Sequence, residues 1–191
     1  MTQSTSVWFI IILALITANM PFAVSRHLLW LPWKQDADDN RHYLLRWLTS
    51  LLHVGVLVAA AWFFYEQIGD ALSTAAFGGF VVAYLAACAL LLALPGWRMG
   101  EPAEPKPFVV RLLEVFVLYC LCGVLAMALE QNQGNRFDQT WEFYAITASL
   151  YVVLGYPGFV LRYLLRKPRR RRPVTRPKSS AGTSSEYHPA G

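Results

Sequence analysis

The run FVVRLLEVFVLYCLCGVLAMAL, residues 108–129, contains only two charges, Arg111 and Glu114, in twenty-two residues. Coiled as a helix rising ~1.5 Å per residue, it covers the roughly 30 Å of a bilayer's hydrocarbon core. A backbone in lipid must satisfy its own polar groups, so such a run is read as a spanning helix. Four more runs of similar character stand at about 6–24, 44–65, 72–95 and 141–165. The expected fold is therefore all-α, a polytopic membrane protein with five spans. Residues 1–166 form a single transmembrane domain, and residues 167–191 form a basic tail.

Composition agrees. Of 191 residues, 55% are hydrophobic and 15% charged, too apolar for an ordinary soluble domain. Eight of the seventeen basic residues fall in the last 26 positions beside one acid, Glu186. The rest of the chain holds nine basic and eleven acidic groups, so the positive net charge belongs to the tail and no nucleic-acid partner is expected.

Basic residues also give the orientation. Arg26, Lys34, Arg41 and Arg46 surround the first connection, Arg98, Lys106 and Arg111 the third, and Arg162 with the tail follows the fifth span. Only Arg136 lies on the other side. The N-terminus is expected outside and the C-terminus in the cytoplasm. Trp8, Trp30, Trp33, Trp47, Trp62, Trp97 and Trp141 stand at or beside span ends, where amphipathic rings prefer the headgroup level. Ala23-Val24-Ser25 could pass as a signal-peptide cleavage site, but no Lys or Arg precedes the first run, so its retention is expected.

The chain also echoes itself. Residues 44–97 carry Arg46, Glu66-Gln67, Phe80 and Pro95-Gly96; residues 109–159 carry Arg111, Glu130-Gln131, Phe143 and Pro157-Gly158. Two hairpins of the same orientation would be related by an axis along the membrane normal. Either a packing unit was duplicated, the simpler reading, or a path runs between pseudo-equivalent halves.

Within the third span, Ala71, Ala75, Gly79, Ala83 and Ala87 recur every four residues, a small-residue face suited to close helix packing, in this chain or with a partner. His53, Arg111 and Glu114 are the intramembrane polar candidates, because ionisable groups are costly there. Arg111 and Glu114 are three apart on one face and can pair locally. Glu142, at the outer rim of the fifth span, is expected to be hydrated. Pro21, Pro95-Gly96 and Pro157-Gly158 are expected to mark exit kinks near the interface. Cys88, Cys120 and Cys122 form no disulfide framework or metal clip; Cys120 and Cys122 face apart on a helix. No nucleophile–base pair, phosphate loop or metal-ligand spacing is recognisable, so no catalytic, cofactor or metal residue is assigned. The tail, Arg169, Arg170, Arg171 and Arg172 above all, is expected to be disordered and to bind anionic lipids.

The stretch Trp141-Glu142-Phe143-Tyr144-Ala145-Ile146-Thr147-Ala148, continuing to Tyr156-Pro157-Gly158-Phe159-Val160 and Arg162-Tyr163-Leu164, resembles a family of small, uncharacterised proteobacterial inner-membrane proteins, chiefly of the beta class. Ala18-Asn19-Met20-Pro21-Phe22 looks like the start of the same family. The resemblance covers residues 1–30 and 108–166 and implies about three spans, which makes 34–107 an inserted or duplicated hairpin. It carries no activity. Gene neighbourhood within that family implies an accessory or assembly role at respiratory NADH–quinone oxidoreductase. The leading expectation is thus a non-enzymatic accessory, assembly or scaffolding component of a larger membrane complex; the expected partners are the lipid bilayer and a membrane protein or a second copy of the chain. A small transporter or channel subunit with a polar path near His53 and Arg111/Glu114 comes second, and a membrane-embedded enzyme third.

Overall fold

Each of the five apolar runs forms one helix: α1 (Gln3–Ala23), α2 (Tyr43–Gly69), α3 (Thr74–Met99), α4 (Phe108–Asn132) and α5 (Trp141–Val160), the last continued by a π turn over Leu161–Leu165. All five are long and apolar enough to cross a membrane. The structure is a computed structural model and describes residues 3–32, 42–99, 106–134 and 139–165. Lys34, Arg41, Trp33, Arg136 and the tail with Arg169–Arg172 lie outside the described residues, as does the expectation of a disordered tail.

Helix ends differ from the expected spans by a few residues, mostly outward. α2 runs four residues past 65, and α3 begins at Thr74, so Ala71 lies in the turn before it. The prolines do not end their helices: Pro95 stands inside α3 and Pro157 inside α5. A proline removes one ladder bond and leaves the remainder of the helix intact when its neighbours compensate.

α4 is the centre. Its inward residues Arg111, Glu114, Val115, Leu118, Leu121, Cys122, Leu125 and Leu129 recur at spacings of three and four. α1 and α2 flank α4; α3 packs outside α2, and α5 outside α1. The two sequence hairpins are therefore built differently. α3 returns directly against α2, whereas α5 packs chiefly on α1 and meets α4 through side chains such as Tyr119, bonded to the Tyr144 carbonyl and the Thr147 hydroxyl. Outward positions stay apolar, for example Leu44, Leu51, Leu52 and Val58 on α2. An apolar exterior around an already apolar core is what a lipid solvent demands.

Polar stitches tie the ends of the bundle. At the α2–α3 turn, Asn132 Nδ2 donates to the carbonyls of Ile68 (3.0 Å) and Ala71 (2.9 Å), and nearby Gln133 Nε2 donates to Ser6 Oγ (2.9 Å). These groups gather the N-terminus of α1, the C-termini of α2 and α4, and the approach to α3. At the opposite end stand the C-termini of α1, α3 and α5 and the N-termini of α2 and α4.

Candidate functional site

The densest buried polar cluster lies at that second end. Glu114, 1% exposed, projects inward from the second turn of α4. Both carboxylate oxygens accept from Lys106 Nζ at 2.9 Å, and Oε1 also accepts the Leu28 backbone N–H at 2.9 Å. Lys106 comes from the segment just before α4, and it is buried as well. Burial draws its ammonium below the ordinary lysine value, the Glu114 carboxylate pushes it back up, and the Arg111 and Arg162 charges lower it further.

Leu28 belongs to a short segment after α1 that the sequence presents as a loop. His27, Leu28, Leu29 and Leu31 are nevertheless buried. The segment folds under the bundle, where Glu114 satisfies one of its N–H groups. Without that acceptor, a buried main-chain donor would cost about 1–3 kcal/mol.

Arg111, 2% exposed, does not share the Lys106 arrangement. Its guanidinium carbon stands 5.6 Å from the centroid of the Tyr163 ring in the π turn, a cation–π geometry. Its Nε and Nη1 have no hydrogen-bond partner among the described residues. The ion pair of Glu114 found among the described residues is the one with Lys106. His53, 4% exposed, lies on the inward face of α2 with Ser50 and Leu57. Its ring meets Trp30 edge-on at 5.4 Å, and its Nε2 has no hydrogen-bond partner among the described residues. The fold thus gathers His53 and Glu114 around the 24–32 segment, with Trp30 and Leu28 as the links, while Arg111 turns to Tyr163.

The prolines and glycines act at the same end. Asn19 of α1 inserts its amide into the α5 ladder: Nδ2 donates to the Leu154 carbonyl at 2.9 Å, and Oδ1 accepts the Gly158 N–H at 2.7 Å. Residues 154 and 158 would ordinarily bond to each other, so the side chain bridges a gap beside Pro157. A Cβ at Gly158 would stand 2.7 Å from Asn19 Oδ1. One at Gly96 would stand 3.1 Å from Arg26 Cβ and 3.2 Å from the His27 carbonyl. Both Pro-Gly pairs admit the end of α1 or the segment that follows it.

The small-residue face behaves differently. α3 turns Phe77, Val81, Tyr84 and Leu92 inward. Ala75, Gly79 and Ala83 are exposed, Ala87 is half-buried, and a Cβ at Gly79 would meet nothing within 4 Å. The stripe therefore faces away from this chain's own helices. Cys120 is exposed and Cys122 buried, two residues apart on α4, and Glu142 opens α5 at an exposed position.

Sequence reasoning missed Lys106, read only as a topological charge, and the structural role of residues 27–31. The unbroken apolar run Leu28-Leu29-Trp30-Leu31 after His27 was the available signal. Among the described residues, no group of three His, Cys, Asp or Glu side chains is placed to hold a metal ion.

A family model described as a protein of unknown function (DUF2818) matches residues 89–166. The match begins in the second half of α3 and runs through α4, α5 and the π turn. It includes Lys106, Arg111, Glu114 and the Pro157-Gly158 pair, while residues 1–30 lie outside it. No curated protein and no solved structure matches the chain.

Proposed function

We propose that the protein is a non-enzymatic integral component of the bacterial inner membrane that packs, as an accessory or assembly factor, against a larger membrane complex. The N-terminus lies outside and the basic tail in the cytoplasm, as the distribution of Lys and Arg directs. The supporting observation is the outward face of α3. Ala75, Gly79 and Ala83 stand exposed in register, with open space at Gly79, on a helix supported mainly by α2. Small residues at such a face let a second backbone approach closely, and in lipid that packing is a principal source of helix association.

The buried end of the bundle fits a holding role. Glu114 is engaged by Lys106 and Leu28, and the Asn19–α5 bridge joins outer helix to inner. The α3 face itself rests on α2 and on the bond from the Tyr84 hydroxyl to the Leu121 carbonyl of α4. Respiratory NADH–quinone oxidoreductase is the first partner to test, on the gene neighbourhood implied by the family resemblance alone.

His53, with a buried ring nitrogen lacking a partner among the described residues, supports the alternative of a small transporter. Extraction in mild detergent, followed by mass spectrometry of co-purifying proteins, separates the readings. The accessory role predicts a defined membrane-protein partner. Recovery only as a self-associating species, with solute flux in liposomes abolished by His53→Ala, supports the transporter and overturns it.

A further inference from the structure

A groove of about 430 Å³ opens where α1 and α3 stand apart over the face of α4. Its walls include Leu13 and Met20 of α1, Leu85 and Leu92 of α3, and Leu118 of α4. Tyr84 closes one end, donating its hydroxyl to the Leu121 carbonyl at 2.7 Å and so bridging α3 to α4. The other end is ringed by Arg26, His27 and Trp97, with Arg98 the next residue of α3. Among the described residues, no acidic side chain lines it. Arg26, Trp97 and Arg98 are exposed.

Length decides what fits. Along α1 the groove runs from Leu13 to Val24, and along α3 from Tyr84 to Trp97. At ~1.5 Å per residue these walls are roughly 16 and 20 Å long. A partner's spanning helix needs about 30 Å of apolar wall, whereas one leaflet is about 15 Å deep. The groove is one leaflet long, apolar along its length, and cationic at its mouth.

We infer that this groove is a binding site for a single membrane phospholipid with a net negative headgroup. One acyl chain lies between α1 and α3, and the phosphate meets the Arg26 guanidinium at the mouth. Guanidinium forks suit phosphate oxygens, and the indole of Trp97 belongs at headgroup level. This site is separate from the outward α3 stripe and does not depend on the partner assigned there.

The full chain, reconstituted in nanodiscs of equal phosphatidylglycerol and phosphatidylcholine and then released into mild detergent, is analysed by native mass spectrometry. One retained phospholipid per chain is expected, with phosphatidylglycerol favoured about five-fold. Ala93→Phe, which fills the groove, abolishes retention, and the milder Ala89→Leu reduces it. Arg26→Gln keeps a lipid but loses the preference for phosphatidylglycerol. If Ala93→Phe does not fold, the Ala89→Leu and Arg26→Gln results decide. Wild type without a retained lipid, retention unchanged in the folded groove variants, or a stoichiometric protein occupying the groove instead would each overturn the assignment.

Discussion

The side-chain amide of Asn19 stands in for a missing rung of α5, accepting the Gly158 N–H at 2.7 Å while donating to the Leu154 carbonyl at 2.9 Å. Pro157 cannot donate at all, so α5 is weakened at this level from two causes. Asn19 compensates from a different helix, and in doing so it fixes the depth and rotation of α1 against α5. Phe22 adds an edge-on contact with Phe159, centroids 6.2 Å apart.

Asn19→Leu removes both bonds and leaves two backbone groups of α5 without their partner. Interhelical hydrogen bonds in membranes average about 0.6 kcal/mol and reach about 1.7, so a loss of about 1–2 kcal/mol is expected. Reversible unfolding by denaturing detergent measures it, and faster hydrogen exchange at Gly158 should accompany it.

Gly158→Ala places a methyl group 2.7 Å from Asn19 Oδ1 and 3.2 Å from Phe22 Cβ. The expected cost is about 1–3 kcal/mol, the usual range for overpacking. Gly79→Ala, whose new methyl group meets nothing within 4 Å, should change the stability of the isolated protein by less than about 0.5 kcal/mol. Parallel unfolding curves of the two variants make the comparison.

Lys106→Met leaves Glu114 buried with no ammonium, and Glu114→Leu leaves the reverse. Each single change is expected to cost about 3–5 kcal/mol, because an uncompensated buried charge is what remains. The double variant, with both charges replaced by apolar groups, should recover only part of that loss, because the Leu28 N–H stays without its Glu114 acceptor. A double-mutant cycle tests the coupling, and additive single effects would show that the pair is not the source.

Much of this architecture was legible in the sequence, because a bilayer imposes length and apolarity on each span separately. The runs at 44–65 and 108–129 could be read without knowing their neighbours, and the structure extends them to Gly69 and Asn132. Contacts between spans were less legible. Nothing in the order of the chain says that α5 packs chiefly on α1 and not on its sequence neighbour α4, since lipid tails are as apolar as the helices and hydropathy cannot distinguish the two surroundings. Lys106 and Glu114 lie eight residues apart across Pro107, too far to pair on one helix, so spacing pointed to Arg111 instead. The stripe from Ala75 to Ala87 was visible as a pattern, and only the inward register of Phe77, Val81 and Tyr84 shows that it faces out.

Reporter fusions after residue 191 and within residues 66–70 check the proposed orientation. Cytoplasmic activity is expected from the first and periplasmic activity from the second. A periplasmic C-terminus would reverse the assignment of both ends of the bundle.

The central proposal is that the outward face of α3 docks a membrane partner. Its most direct measurement is quantitative mass spectrometry of proteins recovered with the wild-type chain and with Gly79→Leu/Ala83→Leu, after extraction in mild detergent. The prediction is a defined partner with the wild type, lost at least about ten-fold with the variant, while the unfolding curve of the isolated chain stays unchanged. Equal recovery of that partner by the correctly folded variant, or the absence of any partner from the wild type, would rule out docking on this face.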